Sequence, residues 1–435
     1  MTPQLTLQTP LQLPPDEIPS YLDKLWSQEN LGNNGANTFS LLIWQPAWIE
    51  QELIRLGKLN GPITGNQSKE VIEESRKFIL EENLPHSTSP LDKKVQDRLS
   101  SCDGGKAAED LRGQHIDSSI SALNPRRLIT LAPTLNLNSP LETLVAAYCP
   151  LPEEISNNST ACGDVVVLRG STKALKEGLS ILNQVLPDEI PSWLWWNGSL
   201  DEAPELLKEL SLPNKRLIID SSLGDPYKCI KLLDARVTNG QAVNDLNWLR
   251  LRTWRETLAM IFDPPERRQS LENITNIDID IEGDNPIQGL LFASWIADRL
   301  NWKFRTSSVQ ESNHIKGEFI RSDGEIVKLS LIPLPVGLPS IHPGQIVGLR
   351  LISKQTNVPD NSLCVILASE SGECMRLEAG GMANMDLLEE VVPISDNNLE
   401  MDVARLLSSS RGSTSPLLSN AAPLAAKILN SSKKS

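Results

Sequence analysis

The chain has 435 residues, enough for two or three domains, with 40% hydrophobic and 22% charged residues, ordinary proportions for a globular protein. Its net charge of −14 excludes a general nucleic-acid binder, which needs Lys and Arg against phosphates, and disfavours docking on an anionic membrane. No run approaches the ~18 apolar residues of a membrane span, and the Pro-rich start lacks the basic region of a signal peptide, so the expected location is cytoplasmic.

In chain order, residues 1–38 carry Pro, Asn and Gly with little periodicity and read as a flexible arm, apart from a short "YLDKLW" anchor. From Ser40 the pattern reads as helical, making 39–90 a small helical module, with Pro46 at a helix start and Gly57 as a stop. The pieces Leu56-Gly57, "GPITG" at 61–65, Arg76-Lys77-Phe78 and Asn83-Leu84-Pro85 resemble the three-helix peptidoglycan-binding-like module, departing from it at Asn66, Gln67 and Ser68. In a cytoplasmic chain such a module is expected to dock or pack rather than bind cell wall. Residues 91–124 form a polar linker.

Residues 125–265 read as an α/β domain around a mostly parallel sheet. "RRLITLA", "GDVVVLRG", "SWLWWNG" and "RLIIDSS" are strands; "STKALKEGLSILNQVLP", "DEAPELLKEL" and "DPYKCIKLLDAR" are helices between them. "SPLETLVAAYC" has a capping-box pattern but alternates at Val145, Ala147 and Cys149, which favours a strand. "DLNWLRLRTWRETLAMIF" (245–262) reads as one helix ended by Asp263-Pro264, with Trp248, Leu251, Trp254, Leu258, Ile261 and Phe262 on one apolar stripe.

After Pro265 the pattern is that of an α+β domain, 266–400. It holds the strand "NIDIDIEG", the helix "PIQGLLFASWIADRL", a hairpin turning at Asp323-Gly324, three further strands and the helix "LEMDVARLL". A Ser-rich tail, 401–435, follows.

The chemistry-bearing residues are sparse. Four histidines in loops give no base for a His-dependent hydrolase, and no catalytic set assembles. Asp278, Asp280 and Glu282 imitate the start of a calcium loop, but its twelfth position is Gly289; the Ile alternation is that of a strand, and no metal is expected. Arg169, Ser171 and Thr172, between a strand and a helix, are candidate anion binders or a simple N-cap. Cys102, Cys149, Cys162, Cys229, Cys364 and Cys374 form no CxxC pair; they read as reduced thiols unless one pair is a redox switch. Trp248, Arg250, Arg252, Trp254 and Arg255 are of the types enriched at binding hot spots, so their helix is either core with arginines bridging domains or a partner surface.

"DLNWLRLRTWRETLA", "PSWLWWNG", "RLIIDSS", "PRRLITL", "LVAAYC" and "LLFASWIADRL" together resemble the glucose-6-phosphate dehydrogenase assembly protein family, OpcA, in its cyanobacterial form. The resemblance runs from about residue 125 to 330, more loosely to 395. It implies a non-catalytic assembly factor and allosteric activator without a cofactor of its own. Such a factor binds glucose-6-phosphate dehydrogenase, promotes its active oligomer in the oxidative pentose phosphate pathway, and falls under redox control through thioredoxin. The alternative is a sugar-phosphate-binding protein or enzyme using the βα edge near Arg169, Asn197 and Asp220.

Overall fold

The computed structural model describes residues 5–7, 11–28, 39–45, 127–134, 137–150, 163–186, 191–335, 344–354, 361–371, 374–382, 388–393, 399–408 and 413–432. The chain divides into two compact units, 1–220 with 398–413, and 221–397 with 414–435.

Unit 1 is built on eight strands among the described residues: β1 (Leu5–Leu7), β2 (Leu11–Gln12), β3 (Ser40–Trp44), β4 (Arg127–Pro133), β5 (Glu142–Pro150), β6 (Gly163–Gly170), β7 (Ser192–Trp196) and β8 (Arg216–Ile219). Five of them run parallel in the order β6-β4-β3-β7-β8, with β5 antiparallel on the outside of β6. The helices are α1 (Ile18–Gln28), α2 (Thr172–Glu177), α3 (Leu179–Val185) and α4 (Pro204–Leu210), joined by Leu399–Ser408 from later in the chain. Runs such as Val165-Val166-Val167 and Leu217-Ile218-Ile219 are buried throughout, as parallel strands covered on both faces must be. Arg127 and Asp164 are register partners on β4 and β6 and form a buried bidentate pair, with Nε–Oδ1 at 2.6 Å and Nη2–Oδ2 at 2.8 Å. Each satisfies the other's charge where neither is tolerated alone.

Two features of unit 1 depart from the sequence reading. Ser40–Trp44, expected to open a helical module, is a strand at the centre of the sheet, between β4 and β7. Five consecutive apolar or small residues do not reveal their period, so a buried strand and a buried helix look alike there. The remainder of that module, 46–90, and the linker 91–124 lie outside the described residues. The supposed arm also has structure: β1 and β2 pair antiparallel with β5 and cover its outer edge, and α1 buries Ile18 and Leu22.

Unit 2 carries an eight-stranded sheet in the order β11-β12-β13-β10-β14-β15-β16-β17. Its strands are β10 (Ile274–Glu282), β11 (Lys303–Val309), β12 (Ile315–Ile320), β13 (Ile326–Leu334), β14 (Ile346–Ser353), β15 (Asn361–Ser371), β16 (Cys374–Met382) and β17 (Leu388–Pro393); the short β9 (Val243–Asp245) precedes them in the chain. Every pairing in this sheet is antiparallel except β10 with β13. The alternation in "NIDIDIE" is realised, with Ile277, Ile279 and Ile281 buried and the acidic residues between them facing out.

The helices of unit 2 are α5 (Pro226–Thr238), α6 (Leu246–Arg250), α7 (Arg252–Ile261), α8 (Ile287–Arg299) and α9 (Pro416–Ser432). α8 lies close on the sheet because Gly289 has no side chain; a Cβ there would meet Leu331 Cδ1 at 2.3 Å. The expected Ser-rich tail contains α9, which buries Leu418, Ala421, Ala422, Ala425, Ile428 and Leu429 and packs on α5, α8 and β11. Small residues at helical spacing, rather than a strong apolar stripe, hid it. Among the described residues no helix is long and apolar enough to cross a membrane.

Candidate partner-binding site

The Asp245–Phe262 stretch is two helices rather than one. α6 ends at Leu251, whose amide returns to Trp248 O at 3.2 Å, and α7 starts at Arg252. Ahead of them Asp245, 1% exposed, caps α6 and ties it to the chain segment before it. Its Oδ1 accepts the amides of Ser221 at 2.9 Å and Asn247 at 3.2 Å, and its Oδ2 accepts the Ser221 hydroxyl at 2.7 Å. Asn247 Nδ2 donates to Ser221 Oγ, and Gln288 on α8 donates to Asn247 Oδ1 at 2.9 Å while accepting the Ile346 amide at 2.8 Å. Asn285 Nδ2 donates to Ser222 O at 3.0 Å. This buried network links the start of α6 to α8 and β14; a fully satisfied polar cluster of this kind fixes one packing arrangement.

The tryptophans of the motif belong to the same core. Trp248 and Trp254 are 2% and 4% exposed, and the rest of the expected stripe is buried with them. Trp254 meets Phe292 of α8 edge-on at 6.5 Å. Arg255 lays its guanidinium 3.8 Å from the centroid of the Trp248 ring, and burial pushes its pKa down to about 10, so it remains cationic at neutral pH. Arg250 donates to Ser222 Oγ at 3.1 Å. Of the five residues singled out, Arg252 is the one classed as exposed, paired with Glu256 at 2.8 Å. Ala259 and Met260, the latter 47% exposed, share the outward side of α7 with this pair.

In unit 1 the strand order has a consequence of its own. Numbered by chain position, the five parallel strands lie 3-2-1-4-5, the arrangement of doubly wound sheets that bind dinucleotides where the order reverses, beyond the carboxyl ends of the first and fourth strands. Here those ends are Trp44-Gln45 and Trp196-Asn197. The two indoles stack at 4.6 Å and 4° between planes, both essentially unexposed. Trp44 Nε1 donates to Glu202 at 3.0 Å, and Asn197 Nδ2 donates to Gln45 Oε1 at 2.8 Å. The sequence after β3 reads Gln45-Pro46-Ala47, without the glycines that let a backbone approach a pyrophosphate. The residues present do not fit a dinucleotide.

The other sequence candidates fall apart from these. Ser171 N donates to Ser139 O at 3.2 Å and Ser171 Oγ accepts the Ala174 amide at 3.1 Å, so Ser171 is the N-cap of α2. Arg169 is buried, 3.8 Å from Glu142. Asp220 is also buried, and Asn197 is half-buried and bonded to Gln45. Cys229 is buried, and Cys364 and Cys374 are half-buried on β15 and β16; Cys102, Cys162 and the side chain of Cys149 lie outside the described residues. No three metal-ligating side chains converge among the described residues. What sequence reasoning missed is the Ser221–Asp245–Asn247–Gln288 network, whose one visible signal was the polar residues inside the apolar "DLNWL" run.

The architecture is that of a two-part chain: a doubly wound order without its nucleotide turn, and a helix-backed antiparallel sheet. Residues 117–235 match the family model described as glucose-6-phosphate dehydrogenase subunit N-terminal domain, and 241–422 match the one described as its C-terminal domain. The chain belongs to the OpcA family. It is 32% identical over 412 residues to the protein named "Putative OxPP cycle protein OpcA" of Synechococcus elongatus, covering 92% of each chain. With the protein of the same name from Synechocystis sp. it shares 30% identity, over 93% of this chain and 89% of that one. A solved 3-ketoreductase from Actinomadura kijaniata in complex with TDP-benzene and NADP matches at TM-score 0.38 and 9% identity, over 57% of this chain and 78% of that one, a likeness that carries no argument.

Proposed function

We propose that this protein is a non-catalytic partner of glucose-6-phosphate dehydrogenase that acts in the cytoplasm in the oxidative pentose phosphate pathway, binding the enzyme and favouring its active oligomer. The observation that carries this reading is family membership, with the N-terminal and C-terminal domain models matched in order at 117–235 and 241–422. The sequence after β3, Gln45-Pro46-Ala47, lacks the glycines of a dinucleotide-binding turn, which is consistent with this reading. The proposed contact is the outward side of α7, at Arg252, Glu256 and Met260, with Trp248, Arg250, Trp254 and Arg255 supporting it from beneath. An activator must bind the active state more tightly than the inactive one; a tenfold preference corresponds to about 1.4 kcal/mol.

The experiment is dehydrogenase activity against glucose 6-phosphate concentration, with and without this protein, together with sedimentation of the mixture. Co-sedimentation with raised activity at low substrate is expected, reduced by Arg252→Glu with Met260→Asp. Independent sedimentation and unchanged activity, under both reducing and oxidising conditions, overturn the reading.

Thioredoxin-linked control is part of the same proposal. Its candidates are the six cysteines, Cys102, Cys149, Cys162, Cys229, Cys364 and Cys374. Peptide mapping without reductant after treatment with an oxidised dithiol is expected to recover one pair joined; recovery of all six as unlinked thiols removes redox control from the proposal.

A further inference from the structure

The outward face of the unit 2 sheet is not flat. Where β11, β12, β13 and β10 run side by side it forms a trough of about 460 Å³, within the range of small-molecule sites. Alternation brings one set of side chains into it: Lys316 of β12 opposite Ser308 and Ser330, and Lys328 of β13 opposite Glu318 and Asn276. Lys316 and Lys328 therefore sit diagonally on adjacent strands, within reach of one group between them. Neither makes an ion pair among the described residues.

The carboxylates of the trough, by contrast, are already engaged. Glu318 pairs with Arg305 at 3.2 Å and Asp278 with Arg350 at 3.7 Å. The lining itself carries two lysines and two carboxylates, and because Arg305 and Arg350 outside it hold the carboxylates, the two ammonium groups are the charges left to meet an anion. The remaining lining is neutral; apart from Gly317 and Leu329 it is hydrogen-bonding, with Asn276, Thr306, Ser307, Ser308 and Ser330. The Ser330 hydroxyl is fixed by His314 Nε2 at 2.7 Å. Ammonium groups suit the diffuse charge of a phosphate, and a set of hydroxyls and an amide suits a polyol.

We propose that this trough binds a small phosphate monoester carrying several hydroxyl groups, a sugar phosphate, with Lys316 and Lys328 on the phosphate and Asn276, Thr306, Ser308 and Ser330 on the hydroxyls. The site does not rest on the partner reading, because it is tested on this chain without any dehydrogenase.

Isothermal titration of the full chain at low salt uses three probes: glucose 6-phosphate, inorganic phosphate and glucose. Glucose 6-phosphate is expected to bind saturably, phosphate at least tenfold more weakly, and glucose not measurably. Lys316→Ala with Lys328→Ala, both exposed positions, is expected to lower the glucose 6-phosphate affinity at least tenfold with an unchanged melting temperature. Lys231→Ala, a lysine outside the trough, leaves it unaltered. Thr306→Val weakens the sugar phosphate but not inorganic phosphate. No saturable binding up to millimolar concentration, or wild-type binding by the double lysine variant, overturns the site; equal affinity for phosphate and glucose 6-phosphate overturns the polyol half of the proposal.

Discussion

Replacing Asp245 by Ala tests whether the "DLNWLR" motif is chiefly a structural keystone. The substitution removes two oxygens that accept the Ser221 and Asn247 amides and the Ser221 hydroxyl in a site 1% exposed. The hydroxyl can turn towards another acceptor, but the two amides have no alternative, and a buried donor left unsatisfied costs about 1–3 kcal/mol. The expected loss is about 3–5 kcal/mol, a large share of the roughly 5–15 kcal/mol typical of a folded domain. Asp245→Asn keeps an oxygen for the two amides and should cost only about 1 kcal/mol. Seven residues on, Arg252→Ala removes an exposed i,i+4 pair and should cost at most about 0.5 kcal/mol. Urea unfolding of the full chain, followed by tryptophan fluorescence, measures all three. If Asp245→Ala unfolds within 1 kcal/mol of wild type, or if Asn is as damaging as Ala, the network does not hold unit 2 together in the way described.

Other outcomes follow from single positions. Gly344 has φ +83°, and a Cβ there would lie 2.1 Å from Asn285 O, so Gly344→Ala should cost several-fold more than Gly324→Ala, where φ is +88° but the space is open; thermal melts of the two variants decide. Burial, reinforced by Lys316 and partly opposed by Asp278, holds the His314 pKa below 6.5. The unfolded chain therefore takes up that proton first, and stability should fall as pH drops through about 6.5 and level off below the folded value, a slope that His314→Gln should flatten in melts at pH 5 to 8. Burial raises the Cys364 thiol above its usual range, so iodoacetamide at neutral pH should modify it more slowly than a free cysteine peptide. Equal rates would contradict that burial.

The strands of the central sheet were legible because runs such as Val165–Val167 and Trp193–Trp196 have no polar alternation to hide, and helices separate them at βα spacing. The Trp-Arg density of 245–262 was visible, but its meaning was not: Arg255 stacked on Trp248 satisfies a cation and a ring inside one unit, a contact made at i,i+7 through tertiary packing. The break at Leu251 has no proline or glycine to announce it. Ser40–Trp44 was misread because a central strand and a buried helix turn share the same apolar run, and α9 because alanines carry little hydrophobic contrast. The trough was beyond sequence reasoning altogether: its lysines and hydroxyls come from four strands, brought side by side by register.

The position of β3 bears on how the chain is made and how it can be cut. The parallel sheet is laid down from its middle outwards, since β3 leaves the ribosome first, β4 and β6 extend it on one flank, and β7 and β8 on the other. The family models begin at residue 117, well after that strand. A fragment starting there would keep every matched residue yet lack its keel, leaving β4 and β7 with facing unpaired edges open to other chains.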